Sequence, residues 1–304
     1  MATRGTLDAT MVGAHVGPIA HAIDARWLMA YAAGLGETDQ RYYDTLSAGG
    51  PLAHPLFAVC YEWPAAVALR DKTVPADLQP QGVHATHYLV IHRSPRAGDT
   101  LHTTARVMYV APRRSGTLVV SRFETVDAHG DRVSTTDYGS VYRDVALADV
   151  VDDHRRAKAA APAAAGASRA SGVSSEEAPA AAGGDAVEWH ETVEVPANAA
   201  WVYTECARIW NPIHTDVAVA HSAGLSAPIL HGTATLALAV SRVIARALRG
   251  DATRVREISV RFSGMVAMPS TFTVRGRGTT GGRVAFDAVG ESGASILSQG
   301  VLTT

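Results

Sequence analysis

The sequence predicts an α+β fold in which one long apolar helix, wrapped by a strongly bent antiparallel sheet, is made twice. Three observations predict it. A strand, a short helix, a polar turn and a long apolar helix come in the same order in each half; four period-two runs follow each long helix; and a tract almost without large apolar side chains separates the halves. With 304 residues, 47% of them hydrophobic, the chain fills two ordinary cores more readily than one very large one.

The first half opens with HVGPIAHAID, which alternates apolar and polar residues as a strand does, and Asp24 then stands as the N-cap of the helix ARWLMAYAAG. LGETDQRYYDT is polar and turn-like. SAGGPLAHP is a Gly/Pro loop that delivers the chain to LFAVCYEWPAAVALR, read as a helix interrupted near Pro64. After Gly82, THYLVIHR, TLHTTARVMYV, TLVVSRFETVDA and RVSTTDYGSVYR are punctuated by PRAGD, APRRSG and HGD, which fits four antiparallel strands in a meander. The expected first domain is 1–150.

Residues 152–185 are rich in Ala, with Pro, Gly and Ser, and offer only Val173 as a sizeable apolar group, so a flexible linker is expected over 151–186. A coil of that length spans about 30 Å, enough for two domains to pack together. In the second domain, 187–304, EWHETVEV reads as a strand, Asn198 as an N-cap and AAWVYTECARIW as a helix. The turn IWNPIHTD follows, then APILHG opens the helix GTATLALAVSRVIARALRG, and four strands close the chain.

A formal net charge of −2 gives no basic field, which argues against nucleic acid. Two cysteines, Cys60 and Cys206, have no metal-type spacing, so neither zinc nor a disulfide frame is indicated, and no cofactor is called for. No run approaches the roughly 18 apolar residues that span a bilayer. A soluble cytoplasmic protein with no membrane partner is the expectation.

Setting GETDQRYYD against RIWNPIHTD pairs Gly36 with Arg208, Glu37 with Ile209, Asp39 with Asn211, Tyr42 with His214 and Asp44 with Asp216. GPLAHP against APILHG pairs His54 with His231 and Pro55 with Gly232. The halves read as diverged copies of one fold, the hotdog.

On NPIHTD and PILHG in the second half, and HYLVIHRSPRAGDTL in the first, the sequence resembles the MaoC-like family of R-specific enoyl-CoA hydratases and 3-hydroxyacyl dehydratases, in its tandem, double hotdog form. The resemblance covers nearly all the chain except the linker. The family pattern runs Tyr, then Ser-Gly-Asp-x-Asn-Pro-(Ile/Leu)-His. Tyr203, Asn211, Pro212, Ile213 and His214 match it, whereas Ala207, Arg208 and Ile209 stand where Ser, Gly and Asp are expected. The resemblance implies a water held by Asp and His at the 2,3-bond of an acyl thioester. Here the Asp is Ile209, and losing one acid/base partner costs about 10²–10⁴ in rate.

The candidate catalytic residues are therefore His214 as base, Asn211 as the turn residue that orients it, and Gly232 as donor of a helix N-terminal N–H to the thioester oxygen. Accessory candidates are Glu205 as a stand-in for the lost acid, Arg208 as a guanidinium to bind a substrate carboxylate or polarise a carbonyl, Asp216 as family acid or helix N-cap, Ser241 as a hydroxyl to hold His214, and Tyr203. His231 reads as a buried structural histidine. The first half has Tyr42 in place of the His and Pro55, which has no N–H, in place of the Gly; its expected role is shell and acyl tunnel, without a family-type site. Arg113, Arg114, Arg254 and Arg256 are candidates to meet phosphates of coenzyme A or a carrier-protein arm.

Three functions follow from the resemblance and the departure. The first is a hydratase or dehydratase on a CoA- or carrier-protein-linked acyl group. The second is a lyase, isomerase or cyclase using one base and an oxyanion hole. The third is a non-catalytic thioester-binding or partner subunit. Pairing of a double hotdog into a homodimer stays open at this level.

Overall fold

The computed structural model describes residues 5–148 and 187–304; the linker expected at 151–186 lies outside the described residues. The first half runs β1 (Gly5–Leu7), β2 (His15–Ala22), α1 (Ala25–Gly34), α2 (Ala58–Thr73), β3 (Gly82–Ile91), β4 (Thr100–Arg113), β5 (Gly116–Asp127), β6 (Arg132–Arg143) and β7 (Val145–Leu147). The second runs β8 (Trp189–Val195), α3 (Ala199–Ala207), α4 (Val217–Ser222), α5 (Gly232–Ala247), β9 (Glu257–Phe262), β10 (Ser270–Thr280), β11 (Arg283–Gly290) and β12 (Ser295–Thr303).

Ten strands form one sheet in the order β2-β4-β5-β6-β3-β9-β12-β11-β10-β8, so each half has the same strand order and the two meet edge to edge at β3 and β9. The joint is antiparallel, with Tyr88 opposite Ser259. This is the double hotdog, and it corrects the expected four-strand meander. β4, β5 and β6 do follow one another, but β3 crosses over to pair with β6, so that its other edge is free to accept β9 and neither half keeps an open edge at the joint.

α1 starts where Asp24 accepts the Trp27 N–H, as its position before an apolar run predicts. Asn198 precedes α3 but makes no side-chain cap; the Ala199 and Ala200 N–H groups go to the Pro196 carbonyl and the Met268 sulfur instead. α2 is not interrupted at Pro64. It continues to Thr73, because burial of Val59, Cys60, Tyr61, Ala65 and Leu69 on that one helix outweighs the single hydrogen bond that proline removes. α2 and α5 lie against the inner face of the sheet, and one core runs through both halves, from Tyr31 and Leu56 to Tyr203, Leu236 and Val240. Among the described residues no helix is long and apolar enough to cross a membrane.

The internal alignment holds at the turns. Gly36 and Arg208, each just after a short helix, are both left-handed, at φ 71° and 58°. Asp39 and Asn211 each precede a single 3-10 turn, over Gln40–Tyr42 and Pro212–His214, and His54 and His231 each precede the long-helix segment.

Candidate active site

Pro212 opens the 3-10 turn at a position where its missing N–H is no loss, and the Asn211 carbonyl accepts the His214 N–H at 3.1 Å. This turn aims His214 back at the strand-like stretch ahead of α5. There its Nδ1 lies 2.8 Å from the Ile229 carbonyl. A carbonyl only accepts, so Nδ1 carries the proton and Nε2 keeps its lone pair. The ring stacks on His231 with centroids 3.8 Å apart, is only 8% exposed, and burial pulls its pKa down to about 4. His214 is thus a neutral base at pH 7.

α5 begins at Gly232, the first of three helix residues whose N–H groups precede the helical hydrogen bonding that starts with Thr235 to the His231 carbonyl, and among the described residues no backbone carbonyl accepts the Gly232 N–H. The site is narrow: a Cβ on Gly232 would lie 3.4 Å from Phe262 Cε1 and 3.7 Å from His84 Cβ. His84 comes from β3 of the first half and stacks on Tyr138 with centroids 3.6 Å apart.

His214, Asn211, Gly232 and Ile209 all line one cavity of about 150 Å³, which opens between the halves. Its other wall is the face of α2 carrying Val59, Glu62, Trp63 and Ala66, at the spacing that puts residues on one side of a helix. Glu62 is only 4% exposed. Its Oε1 accepts the Thr136 and Ser134 hydroxyls at 2.7 and 3.3 Å, and burial, opposed by these two bonds, raises its pKa to about 7.

Apart from Asn211, the other predicted residues fall outside this cavity. The Asn211 amide lines it but makes no hydrogen bond to His214; the backbone of the turn does the orienting. Glu205 is exposed on α3, so it does not replace the lost acid. Arg208 also turns away: its guanidinium lies 4.2 Å above the Trp27 ring and 3.7 Å from Asp24. The left-handed backbone at 208 sends that side chain to the first half. Asp216 caps α4 by accepting the Ala218 and Val219 N–H groups. Tyr203 is buried and donates at 3.1 Å to Thr233, a residue of the cavity wall, so it positions that wall from behind. Ser241 does not hold His214. It donates to Glu37 and lies 3.2 Å from His54 Nε2, because that face of α5 points to the first half. His231 is buried as expected, with Nε2 3.2 Å from Thr204. None of Arg113, Arg114, Arg254 or Arg256 lines the cavity, and Arg113 and Arg256 bond nearby backbone carbonyls.

The equivalent place in the first half is shut. Around His54, Pro55 and Ala58 only about 10 Å³ remains. His54 is 1% exposed, its Nδ1 accepts the Leu56 N–H, and burial takes its pKa down to about 3.

Sequence reasoning missed Glu62, Thr233 and His84. Glu62 had a signal, since a carboxylate three residues after Val59 breaks an otherwise apolar helix face.

Residues 180–294 match the MaoC like domain, and residues 10–136 match the FAS1-like, dehydratase domain region. Peroxisomal enoyl-CoA hydratase 2 of Arabidopsis thaliana is 45% identical over 53 residues, 17% of this chain and 17% of that protein. An enoyl-CoA hydratase of Mycobacterium tuberculosis is 38% identical over 64 residues, 21% of this chain and 22% of that one. The chain thus matches less than a quarter of the length of these relatives. A MaoC-like dehydratase from Phytophthora capsici has a similar structure, with a TM-score of 0.73 at 21% identity over 96% of this chain and 95% of that chain. So has full-length peroxisomal multifunctional enzyme type 2 from Drosophila melanogaster, with a TM-score of 0.71 at 23% identity over 95% of this chain and 48% of that chain.

Proposed function

We propose that the chain is a MaoC-like dehydratase in double hotdog form and that it adds water to, or removes water from, the 2,3-bond of an acyl thioester, a reading supported by the two family matches and the shared fold. The observation that carries the reading is the meeting of an unprotonated imidazole nitrogen, His214 Nε2, and an unpaired helix N-terminal N–H, Gly232, in one cavity. In hydration, Nε2 takes a proton from water as its oxygen attacks C3. The double-bond electrons move toward the carbonyl, and the negative charge that develops on the thioester oxygen is met by the Gly232 N–H and the positive end of α5. Dehydration is the reverse. The enoyl-CoA hydratases among the relatives make coenzyme A the proposed carrier.

The first half is assigned a scaffold role. Pro55 has no N–H to offer, Tyr42 replaces the base, and the closed pocket around His54 has no room for an acyl group. What it contributes is the α2 wall of the working cavity.

The test is to incubate the protein with short and medium 2-enoyl-CoAs and follow loss of the enoyl-thioester absorbance. Turnover is expected, and His214→Ala should lower it by about 10²-fold or more. No turnover above buffer, with His214→Ala indistinguishable, would sink the reading for those substrates. A second reading, a single-base isomerase, cyclase or other lyase, is favoured by Ile209, which is 3% exposed and puts a hydrocarbon where the family has its water-binding acid. It predicts a rearranged or cleaved product with no gain of water, which mass measurement separates from hydration.

A further inference from the structure

The hydratase reading leaves one proton without a carrier. When water adds across the 2,3-bond, the hydroxyl goes to C3 and a proton must reach C2, yet the acid of the family's pair is Ile209 here. Of the residues around the cavity only Glu62 bears a carboxyl group. It comes from the other half of the chain, on α2, one helical turn beyond Val59, and both Val59 and Ile209 face the same space.

Three features equip Glu62 for more than filling. Its side chain is locked, because Oε1 accepts two hydroxyls from β6, Thr136 and Ser134, and Ser134 in turn accepts the Tyr61 hydroxyl. Its Oε2 has no hydrogen-bond partner among the described residues and is not one of their sealed, partnerless atoms, so it is open to the space that Glu62 lines. A carboxyl this deeply placed is costly unless its oxygens find polar partners; Oε1 has two, and Oε2 has none among the described residues. The apolar residues beside it, Trp63 and Phe123, give no reason to keep an acid there.

We propose that Glu62 is the second acid/base residue of the site, supplied across the domain joint to replace the acid lost at Ile209. In hydration, His214 Nε2 removes a proton from water as the C3–O bond forms, the C2=C3 pair passes to the thioester as an enolate, and Glu62 Oε2–H donates its proton to C2. The proton left on His214 then returns to Glu62 through the water that refills the cavity, so one water is consumed and both residues end as they began. In dehydration the order reverses: the Glu62 proton first passes through the cavity water to His214 Nε2, the Glu62 carboxylate then removes the C2 proton, and His214 protonates the departing hydroxyl, which leaves as water. The environment sets the two groups apart in the required sense: burial lowers the imidazole to about 4 and raises the carboxyl to about 7.

The inference rests on the proposed hydratase activity, and the test separates the two. Four proteins are assayed with the four-carbon substrate 2-butenoyl-CoA and with a longer straight-chain 2-enoyl-CoA: the unmodified chain, His214→Ala, Glu62→Gln, and Glu62→Gln combined with Ile209→Asp. Glu62→Gln should lower kcat by at least about 10²-fold with KM changed only a few-fold. Restoring an acid at the family position should then recover at least about tenfold of that loss in the double variant, and any recovery also shows that the Gln chain folds. If the unmodified chain and His214→Ala differ while Glu62→Gln keeps its kcat, Glu62 has no part in catalysis and the hydratase reading stands. If Glu62→Gln loses rate only on longer acyl chains, it merely lines the tunnel and the inference is overturned. If the unmodified chain turns over no thioester, both readings fall.

Discussion

His214 Nδ1 lies 2.8 Å from the carbonyl oxygen of Ile229, two residues before the His231 ring on which the His214 ring is stacked. The APILHG stretch therefore does two things for the site. It fixes the tautomer of the base, and three residues after Ile229 it starts the helix whose first N–H faces the same cavity.

The first prediction concerns pH. In the proposed mechanism the working form of His214 is the neutral imidazole, and burial lowers its pKa to about 4. Protonation abolishes the base, so kcat/KM should fall on acidification only as pH approaches about 4. No acid limb should appear near 6.5, the ordinary value for histidine. A kcat/KM profile from pH 8 to pH 4 checks this; a half-maximal point at 6.5 would refute the neutral, buried base.

The second concerns the oxyanion donor. Gly232→Pro removes one N–H at the first position of a helix, where proline is well accommodated, and native Pro55 occupies the equivalent place in the first half. The residue before it, His231, already has the extended ψ of 137° that proline requires of its neighbour. The melting temperature should move little while kcat falls by about 10²–10³. Thermal melts and initial rates on the same preparation distinguish this from misfolding.

The third separates the two halves. His54 is 1% exposed and tied to Leu56 and Ser241, remote from the working cavity. His54→Ala should cost about 1–3 kcal/mol of stability, since the Ser241 and Leu56 partners lose their bonds. Turnover per folded molecule should change less than about threefold. Chemical denaturation alongside activity measures both; a loss matching that of His214→Ala would mean that the first half does chemistry.

The fourth is a stability profile. Burial holds His54 at about 3, His87 and His214 at about 4, and His84 and His231 well below the ordinary value. Unfolding raises each toward 6.5, so between about pH 6.5 and 4 the unfolded chain binds more protons and native stability is lost on acidification. Glu62 acts in the opposite sense. Its raised pKa of about 7 favours the folded state below the unfolded carboxyl value and is lost as pH rises through 7. Burial raises the Glu37 carboxyl in the same sense as Glu62, but the five histidines outnumber these two carboxyls, so the net change from pH 6.5 to 4 should be a loss of stability. Thermal melts across that range check the sign; a midpoint that rises on acidification would contradict it.

Local pattern was enough to locate the working turn and the start of its helix. Asn-Pro sets a tight turn, an apolar run after Gly sets a helix, and both are short-range consequences of backbone sterics. The duplication was legible for the same reason: Asp39 and Asn211, Tyr42 and His214, take equivalent places in two equivalent 3-10 turns despite low identity.

Long-range pairing was not legible. Period two marks β3 as a strand with one buried side, but only closure of the sheet places it between β6 and β9 rather than beside β4. The apolar faces of α2 and α5 were readable as buried, yet which face meets which half is settled by how the helices lie on one continuous sheet. That placement sends Ser241 to His54 and Glu37, sends Arg208 to Trp27, and brings Glu62 into the cavity of a histidine 152 positions later in the chain. The sequence by itself determined where His214 and the start of the Gly232 helix stand, because those features are encoded in neighbouring residues. Only the tertiary structure decided which acid shares their cavity, because burial between two domains depends on contacts that no local pattern carries.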